Sequence, residues 1–274
     1  MQTILITGGT GMVGQSLTNF LLAKGYQVIV LTRQKKQSSR AHFSFAQWDL
    51  NKGWIDPAAI AAADYIIHLA GEGVADKRWT VARKKAILDS RVNSSALLVK
   101  TLKENPNKVK AIVAASAIGW YGPDNEKSKQ SGFVETDPLD SSFLGDTCQQ
   151  WEESMHPIRA LGIRLISLRI GIVFNKKGGA LAEFIKPARM GMAAILGDGK
   201  QLVSWIHQKD LNRMMLFALE QSHIEGVYNA VAPNPVSNEK LTMTIATVLK
   251  KPLFMPNIPK FMMNLLLGEM HELL

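Results

Sequence analysis

The stretch TGGTGMVG, Thr7 to Gly14, carries the first residues whose spacing could do chemistry. Gly9, Gly11 and Gly14 satisfy G-x-G-x-x-G, and Thr7, Gly8, Gly11 and Gly14 satisfy T-G-x-x-G-x-x-G. The apolar run TILIT precedes them, and MVGQSLTNFLLAKG follows with helical periodicity and a glycine stop at Gly25. Glycines between a strand and a helix permit a tight turn and let the backbone approach a pyrophosphate at the helix N-terminus. A dinucleotide is therefore expected on Gly8, Thr10, Gly11, Met12, Val13 and Gly14.

The end of the second strand discriminates between dinucleotides. An acidic residue about 20 positions beyond the glycines would take the ribose hydroxyls of NAD. Here VIVL is followed by Thr32 and Arg33, with Lys35 and Lys36 close behind. A guanidinium grips a 2′-phosphate with paired hydrogen bonds where a carboxylate would repel it. The expected cofactor is NADP(H), with Arg33 on the 2′-phosphate. Asp49 and Leu50 end the third strand, where adenine would lie. Leu69, Ala70, Gly71 and Glu72 end the fourth, where small residues admit the pyrophosphate and nicotinamide ribose. His68 reads as a packed strand histidine.

The elements that must position these residues alternate. Strands are predicted at TILIT, YQVIVLT, HFSFAQWDL, ADYIIHLAG, KVKAIVAASA and IRLISLRIGIVF, with long helices over about 80–104 and 143–161. Strands separated by helices pair in parallel through right-handed crossovers. The fold class is therefore α/β: a Rossmann-type doubly wound parallel sheet over residues 1–172, completed by roughly 203–222. Residues 173–274 would form a small C-terminal substrate lobe, in keeping with five of the eleven prolines at 233, 235, 252, 256 and 259. Residues 123–142 read as a surface loop, and Asp210 as the cap of a helix over 210–221.

With 274 residues, 46% hydrophobic and 20% charged, the chain can bury a full core. Cys148 is its only cysteine, which excludes an intrachain disulfide and suits a reducing, cytoplasmic setting. The N-terminus has no signal-peptide pattern, and no apolar run reaches the roughly 20 residues of a membrane span. The net charge of +9 comes in small groups (Lys35, Lys36 and Arg40; Arg83, Lys84 and Lys85; Lys176 and Lys177). That distribution argues against nucleic acid and suits a surface attractive to anionic ligands.

HLAG, AASAIGWYG, RIGIVF and SWIHQKDL, following the glycine turn in this order, make the chain resemble the extended short-chain dehydrogenase/reductase family. AGE at 70–72, Arg78-Trp79, Ser90-Arg91-Val92, GVYNAVAPNPVSN and GEM make it similar to the sugar-nucleotide-epimerase-like YfcH branch, with its small C-terminal domain. The resemblance implies a chain ending about 25 residues short of the branch's usual length, a sign of truncation, and pairing into a homodimer through the two long helices.

It also implies an active site, carried over residue by residue. Ser116 matches the serine that polarises the reacting oxygen. The family's Tyr-x-x-x-Lys relay has no match: four residues beyond the four tyrosines stand Val30, Leu69, Asn125 and Ala232. In FLGDTCQQWEE, Leu144 and Cys148 take the Tyr and Lys places, so Tyr121 is the leading substitute catalytic residue, ahead of Glu72 and Asp146. Packing under the sheet is the competing role for Tyr121. Val203 stands where nucleotide-sugar enzymes carry a diphosphate-gripping arginine. Arg91 stands in the place of a family asparagine, either meeting an anionic group in the cleft or forming a salt bridge on its helix. Arg78, Trp79, Trp120 and Trp205 complete the candidate pocket.

Three functions follow from these readings. The first is an NADP(H)-binding oxidoreductase or epimerase-like enzyme for a small, anionic substrate. The second is a non-catalytic NADP(H)-binding sensor or regulator. The third is a nucleotide-sugar epimerase, which Leu144, Cys148 and Val203 oppose.

Overall fold

A computed structural model describes residues 1–176, 178–253 and 255–273. Lys177, one of the basic groups noted in the sequence, lies outside them. The chain runs β1 (Thr3–Thr7), α1 (Met12–Ala23), β2 (Gln27–Thr32), β3 (Phe43–Asp49), β4 (Trp54–Ile55), α2 (Pro57–Ala62), β5 (Tyr65–His68), α3 (Val81–Glu104) and β6 (Ala111–Ala117). It continues through α4 (Glu126–Ser131), α5 (Phe143–Met155), β7 (Arg164–Ile170), β8 (Ile172–Phe174), α6 (Ala180–Arg189), β9 (Leu202–Val203) and β10 (Trp205–His207). The remaining elements are α7 (Gln208–Glu220), β11 (Gly226–Ala230), β12 (Val236–Ser237), α8 (Asn238–Val248) and α9 (Lys260–Leu267).

The eight-stranded sheet has the order β11-β7-β6-β5-β1-β2-β3-β4, parallel throughout except where β4 turns back on β3. β1 and β5, neighbours in space, lead outward in opposite directions along the sheet. A crevice therefore opens above their carboxyl ends, where open α/β sheets bind ligands. The strand interiors are continuous apolar runs because helices cover both faces. One face packs Leu5, Ile66, Ile112 and Leu165 against the α3 and α5 side. The other packs Ile4, Ile6, Val28, Val30 and Ile166 beneath α1 and α7.

Four expectations need correction. β9 and β10 do not complete the sheet; β10 pairs with β8 and β9 with β12, and β11 is the strand that extends the sheet beyond β7. Gly171 splits IRLISLRIGIVF into β7 and β8: a Cβ there would lie 2.7 Å from the Ser204 carbonyl oxygen. Within 123–142, the Asn125–Ser128 capping box starts α4, the reciprocal pairing that stabilises a helix N-terminus. α7 starts at His207, whose ring accepts from the Lys209 N–H, while Asp210 sits in the first turn and bonds Arg213.

A separate apolar cluster gathers Ala188, Val203, Leu241 and Ile245, with Phe174 and Trp205 packed against them. Among the described residues no helix is long and apolar enough to cross a membrane.

Candidate cofactor and active site

The glycine turn is built as its spacing requires. Gly8 has φ +67, and a Cβ on it would lie 2.6 Å from the Leu69 carbonyl oxygen. A Cβ on Gly14 would meet the Gly8 carbonyl oxygen and Gly9 Cα at 2.5 Å, so α1 lies directly against the turn. Gly11 is the N-cap of α1, without a side-chain cap and without an acidic residue in the first turn. The first N–H groups of that helix therefore keep their positive end for an external acceptor. A cradle of this kind fits a pyrophosphate.

The loop after β5 is fixed by a buried network. Thr7 Oγ1 accepts from the Leu69 and Ala70 N–H groups at 3.1 Å each and lies 2.8 Å from His68 Nδ1. With both hydroxyl lone pairs occupied, the Thr7 proton must go to Nδ1, so His68 carries its own proton on Nε2, 3.1 Å from Ser95 Oγ. Burial lowers the His68 pKa to about 4. His68 is thus the packed strand histidine its sequence context suggests, and its work is to hold Leu69 and Ala70 against Gly8.

Arg91 reaches the same loop from α3. Its Cζ lies 3.2 Å from where a Gly71 Cβ would be, its Nη1 donates to the Ile87 carbonyl at 2.9 Å, and its guanidinium covers the Trp151 ring at 4.9 Å. Arg91 forms no ion pair among the described residues, and burial draws its pKa below the ordinary value. Glu72 pairs instead with Arg83, and its N–H donates to Ser90 Oγ.

Of the remaining expected cofactor contacts, Thr32 is buried and Arg33 exposed at the end of β2. Asp49 accepts from the Asn51 and Lys52 N–H groups, closing its own turn, and Leu50 packs on the core. Met12 lies against Gly178 and Gly179, and Val13 packs on the sheet. Thr10 is exposed, its carbonyl accepting from Gln15 Nε2.

The proposed catalytic side chains meet in one buried chain of hydrogen bonds. Ser116 Oγ donates to Glu152 Oε1 at 2.6 Å. Arg169 clamps that carboxylate through Nε to Oε1 at 2.9 Å and Nη2 to Oε2 at 3.1 Å. Arg169 Nη1 also donates to Tyr121 Oη at 3.0 Å, and Tyr121 in turn donates to Asn229 Oδ1 at 2.7 Å. Burial raises the Tyr121 pKa, against the Arg169 contact that lowers it. The ring stacks on Phe133 at 4.9 Å. Segment 123–142 closes the network from above, with Glu135 accepting from the Asn229 N–H and, through its carbonyl, from Arg169.

Glu152 is not singled out by the sequence motifs. It stands four residues beyond Cys148 and eight beyond Leu144, one helix face continued inward. Leu144 packs by Gly119, and the Cys148 thiol donates to the Ala117 carbonyl at 3.4 Å. Burial pushes that thiol's pKa up to about 11.

The candidate pocket residues are distributed. Trp79 donates to the Val74 carbonyl and meets Phe143 edge-on, and Arg78 lies against Gly268. Trp120 lies beneath the Arg169 guanidinium at 3.6 Å. Trp205 stacks on Phe174 at 5.0 Å beside the Leu241–Ile245 cluster.

Sheet order, glycine cradle and crevice together define a Rossmann-type protein of the extended dehydrogenase kind. The chain belongs to the NAD dependent epimerase/dehydratase family, which it matches over residues 4–230. It is 35% identical over 272 residues to the Epimerase family protein YfhF of Bacillus subtilis, covering 99% of this chain and 87% of that protein. Human epimerase family protein SDR39U1 (isoform2), solved with NADPH, superposes with a TM-score of 0.84 at 27% identity, covering 99% of this chain and 88% of that one. UDP-N-acetylglucosamine 4-epimerase from Bacillus cereus shares the fold, with a TM-score of 0.75 at 21% identity over 97% of this chain and 90% of that one.

Proposed function

We propose that this protein binds NADP(H) and acts as an oxidoreductase or epimerase-like enzyme on a small molecule bearing an anionic group. The observation that carries the reading is the uncapped N-terminus of α1 behind Gly8, Gly11 and Gly14, beside a β2 end that is basic rather than acidic. The NADPH in the human relative's structure supports it. Gly8, Thr10, Gly11, Met12, Val13 and Gly14 would hold the pyrophosphate, Arg33 the 2′-phosphate, and Leu69 to Glu72 the nicotinamide side.

When bound, the nicotinamide gives or takes a hydride. Ser116 Oγ donates its proton to Glu152, which leaves its lone pairs to accept from a substrate hydroxyl. A proton lost by that hydroxyl would pass to Ser116 Oγ as the serine proton moves to Glu152. Arg169 fixes the carboxylate for that transfer, and Arg91 offers a cation to the substrate's charged group. The test follows absorbance at 340 nm across carbonyl and alcohol substrates, with Ser116→Ala, Glu152→Gln and Tyr121→Phe beside the parent. Turnover lost in Ser116→Ala and Glu152→Gln, with NADPH affinity retained, supports the relay; full activity in both removes it.

A second reading, an NADP(H)-binding sensor or regulator, is favoured by a specific observation. The hydroxyls of Ser116 and Tyr121 are both engaged within the protein, and Leu144 and Cys148 hold the relay positions. Tight NADPH binding with no turnover across the panel supports that reading.

A further inference from the structure

Three basic side chains near the loop after β5 and the Ser116 network are matched by carboxylates: Arg83 by Glu72, Lys84 by Glu269 and Arg169 by Glu152. Arg91, on α3, has no such partner among the described residues. Its Nη1 donates to the Ile87 carbonyl, while Nε and Nη2 make no hydrogen bond among the described residues. A Cβ at position 71 would lie 3.2 Å from Arg91 Cζ, so glycine there lets the guanidinium rest against an exposed loop. The guanidinium also covers the Trp151 ring. Trp151 is 6% exposed, and its Nε1 has no acceptor among the described residues; the Thr147 hydroxyl, one turn earlier on α5, is likewise buried without a partner. Buried donors in this state are costly unless a ligand meets them. Cys148 links the cation to the reacting oxygen. Burial raises the thiol's pKa while the Arg91 cation and the Ser116 hydroxyl lower it, so the thiol neighbours both groups.

We propose that the substrate is a short hydroxy or oxo monocarboxylic acid, its carboxylate held by Arg91 and its reacting oxygen on Ser116. The inference rests on the oxidoreductase reading above and supplies its substrate class. One uncompensated cation suits a monoanion, whereas the second negative charge of a phosphate monoester would find its neighbouring cations already paired. The Nε and Nη2 edge of a guanidinium matches the two oxygens of a planar carboxylate. Arg169 presents that same edge to Glu152 within this protein, and on Arg91 it is the edge that Ile87 leaves open. Because one thiol neighbours both the cation and the hydroxyl, only a few carbons separate the carboxylate from the reacting carbon. Oxidation of the hydroxy acid removes a hydride from that carbon and a proton from its oxygen, the proton passing to Ser116 as above; reduction of the oxo acid reverses both.

The experiment offers the NADPH-loaded full chain three oxo acids of increasing spacing (pyruvate, acetoacetate and levulinate), their methyl esters, and methyl phosphate. Binding is read by calorimetry and turnover by absorbance at 340 nm, for the parent, Arg91→Met and Arg91→Lys. The parent should take at least one acid about 30-fold or more better than its ester. Arg91→Met should abolish that preference while keeping its NADPH affinity, and Arg91→Lys, which keeps the charge without the fork, should restore part of it. A damaged fold would weaken acid and ester together, so the ratio between them reads the site itself. Acids that bind no better than their esters overturn the carboxylate site, as does a preference that survives Arg91→Met. Methyl phosphate binding ahead of every acid, or NADPH affinity lost along with the acid in Arg91→Met, assigns the cation to a phosphate or to the cofactor and also overturns it. If acids bind on Arg91 without turnover, the carboxylate site stands and the oxidoreductase reading fails. If carbonyl substrates turn over with no preference for the acid, that reading stands and the carboxylate site fails.

Discussion

His68 provides a quantitative check on the network that shapes the cofactor loop. Its Nδ1 must accept from Thr7, because both Thr7 lone pairs already serve the Leu69 and Ala70 N–H groups. A proton on Nδ1 would face an oxygen with no free lone pair. The folded state therefore resists protonation, and burial takes the pKa from 6.5 down to about 4. A group with a lowered folded pKa of this basic type adds stability that is fully present above the unfolded value and is lost as pH falls toward the folded one. Linkage with these two values gives a loss of roughly 2 kcal/mol between pH 7 and pH 5, and about 3 kcal/mol by pH 4. His68 is fully buried, so solvent screening takes little from that figure. Urea unfolding of the parent and of His68→Gln at half-unit steps from pH 7.5 to 4.5 reads it. The parent's stability should fall below pH 6.5 more steeply than the variant's, converging by about 2 kcal/mol at pH 5 whatever the variant's starting deficit. Parallel curves would refute the lowered folded pKa of His68. NADPH binding should weaken along the same pH course, because Leu69 abuts Gly8.

Three further outcomes follow from the geometry. Glu152→Ala leaves the 3%-exposed Arg169 cation without its carboxylate, and breaking a buried pair this way should cost about 3–5 kcal/mol by urea denaturation; replacing both partners with methionine should cost less. Gly14→Ala drives a methyl to 2.5 Å from turn backbone, so NADPH affinity should fall by at least about 100-fold in fluorescence titration. The Cys148 thiol, 3% exposed and with its pKa pushed up to about 11, should resist an aromatic disulfide reagent at pH 8 and react promptly in denaturant. Labelling of the native protein within seconds would contradict its placement.

Legibility in the sequence follows the range of the interactions involved. TILIT, YQVIVLT and ADYIIHLAG are continuous apolar runs because both faces of a parallel sheet are covered; the first two form strands within a residue of their predicted bounds, and the third is trimmed to Tyr65–His68. The glycine turn is legible because a tight turn leaves few residue choices. Long-range pairing is not. VSWIH contains parts of two short strands with different partners, and only the tertiary approach of Ser204 to Gly171 separates them. Asp210 is a reasonable cap by type, but the helix is capped three residues earlier, by a histidine that accepts through its ring. Lys36 and Arg40 read as scattered surface charge until the β2–β3 connection brings them to the wall that holds Thr10.

The face of α5 bears on what the active site can do. Leu144, Cys148 and Glu152 lie on one stripe, and at 1.5 Å per residue Glu152 stands about 12 Å along the helix from Leu144 and about 6 Å from Cys148. The stripe is apolar at the mouth, where the family's proton donor would sit, and ionic beneath it. Position 144 lies by Gly119, whereas position 152 meets Ser116, deeper along β6. A substrate at the mouth therefore meets a leucine and a buried thiol. In the proposed reaction its oxygen would reach the carboxylate through Ser116, whose hydroxyl donates to Glu152 Oε1. Hydride chemistry that tolerates Ser116→Ala must take its proton from solvent or from the substrate itself, and its rate should then follow buffer concentration in the variant and in the parent alike.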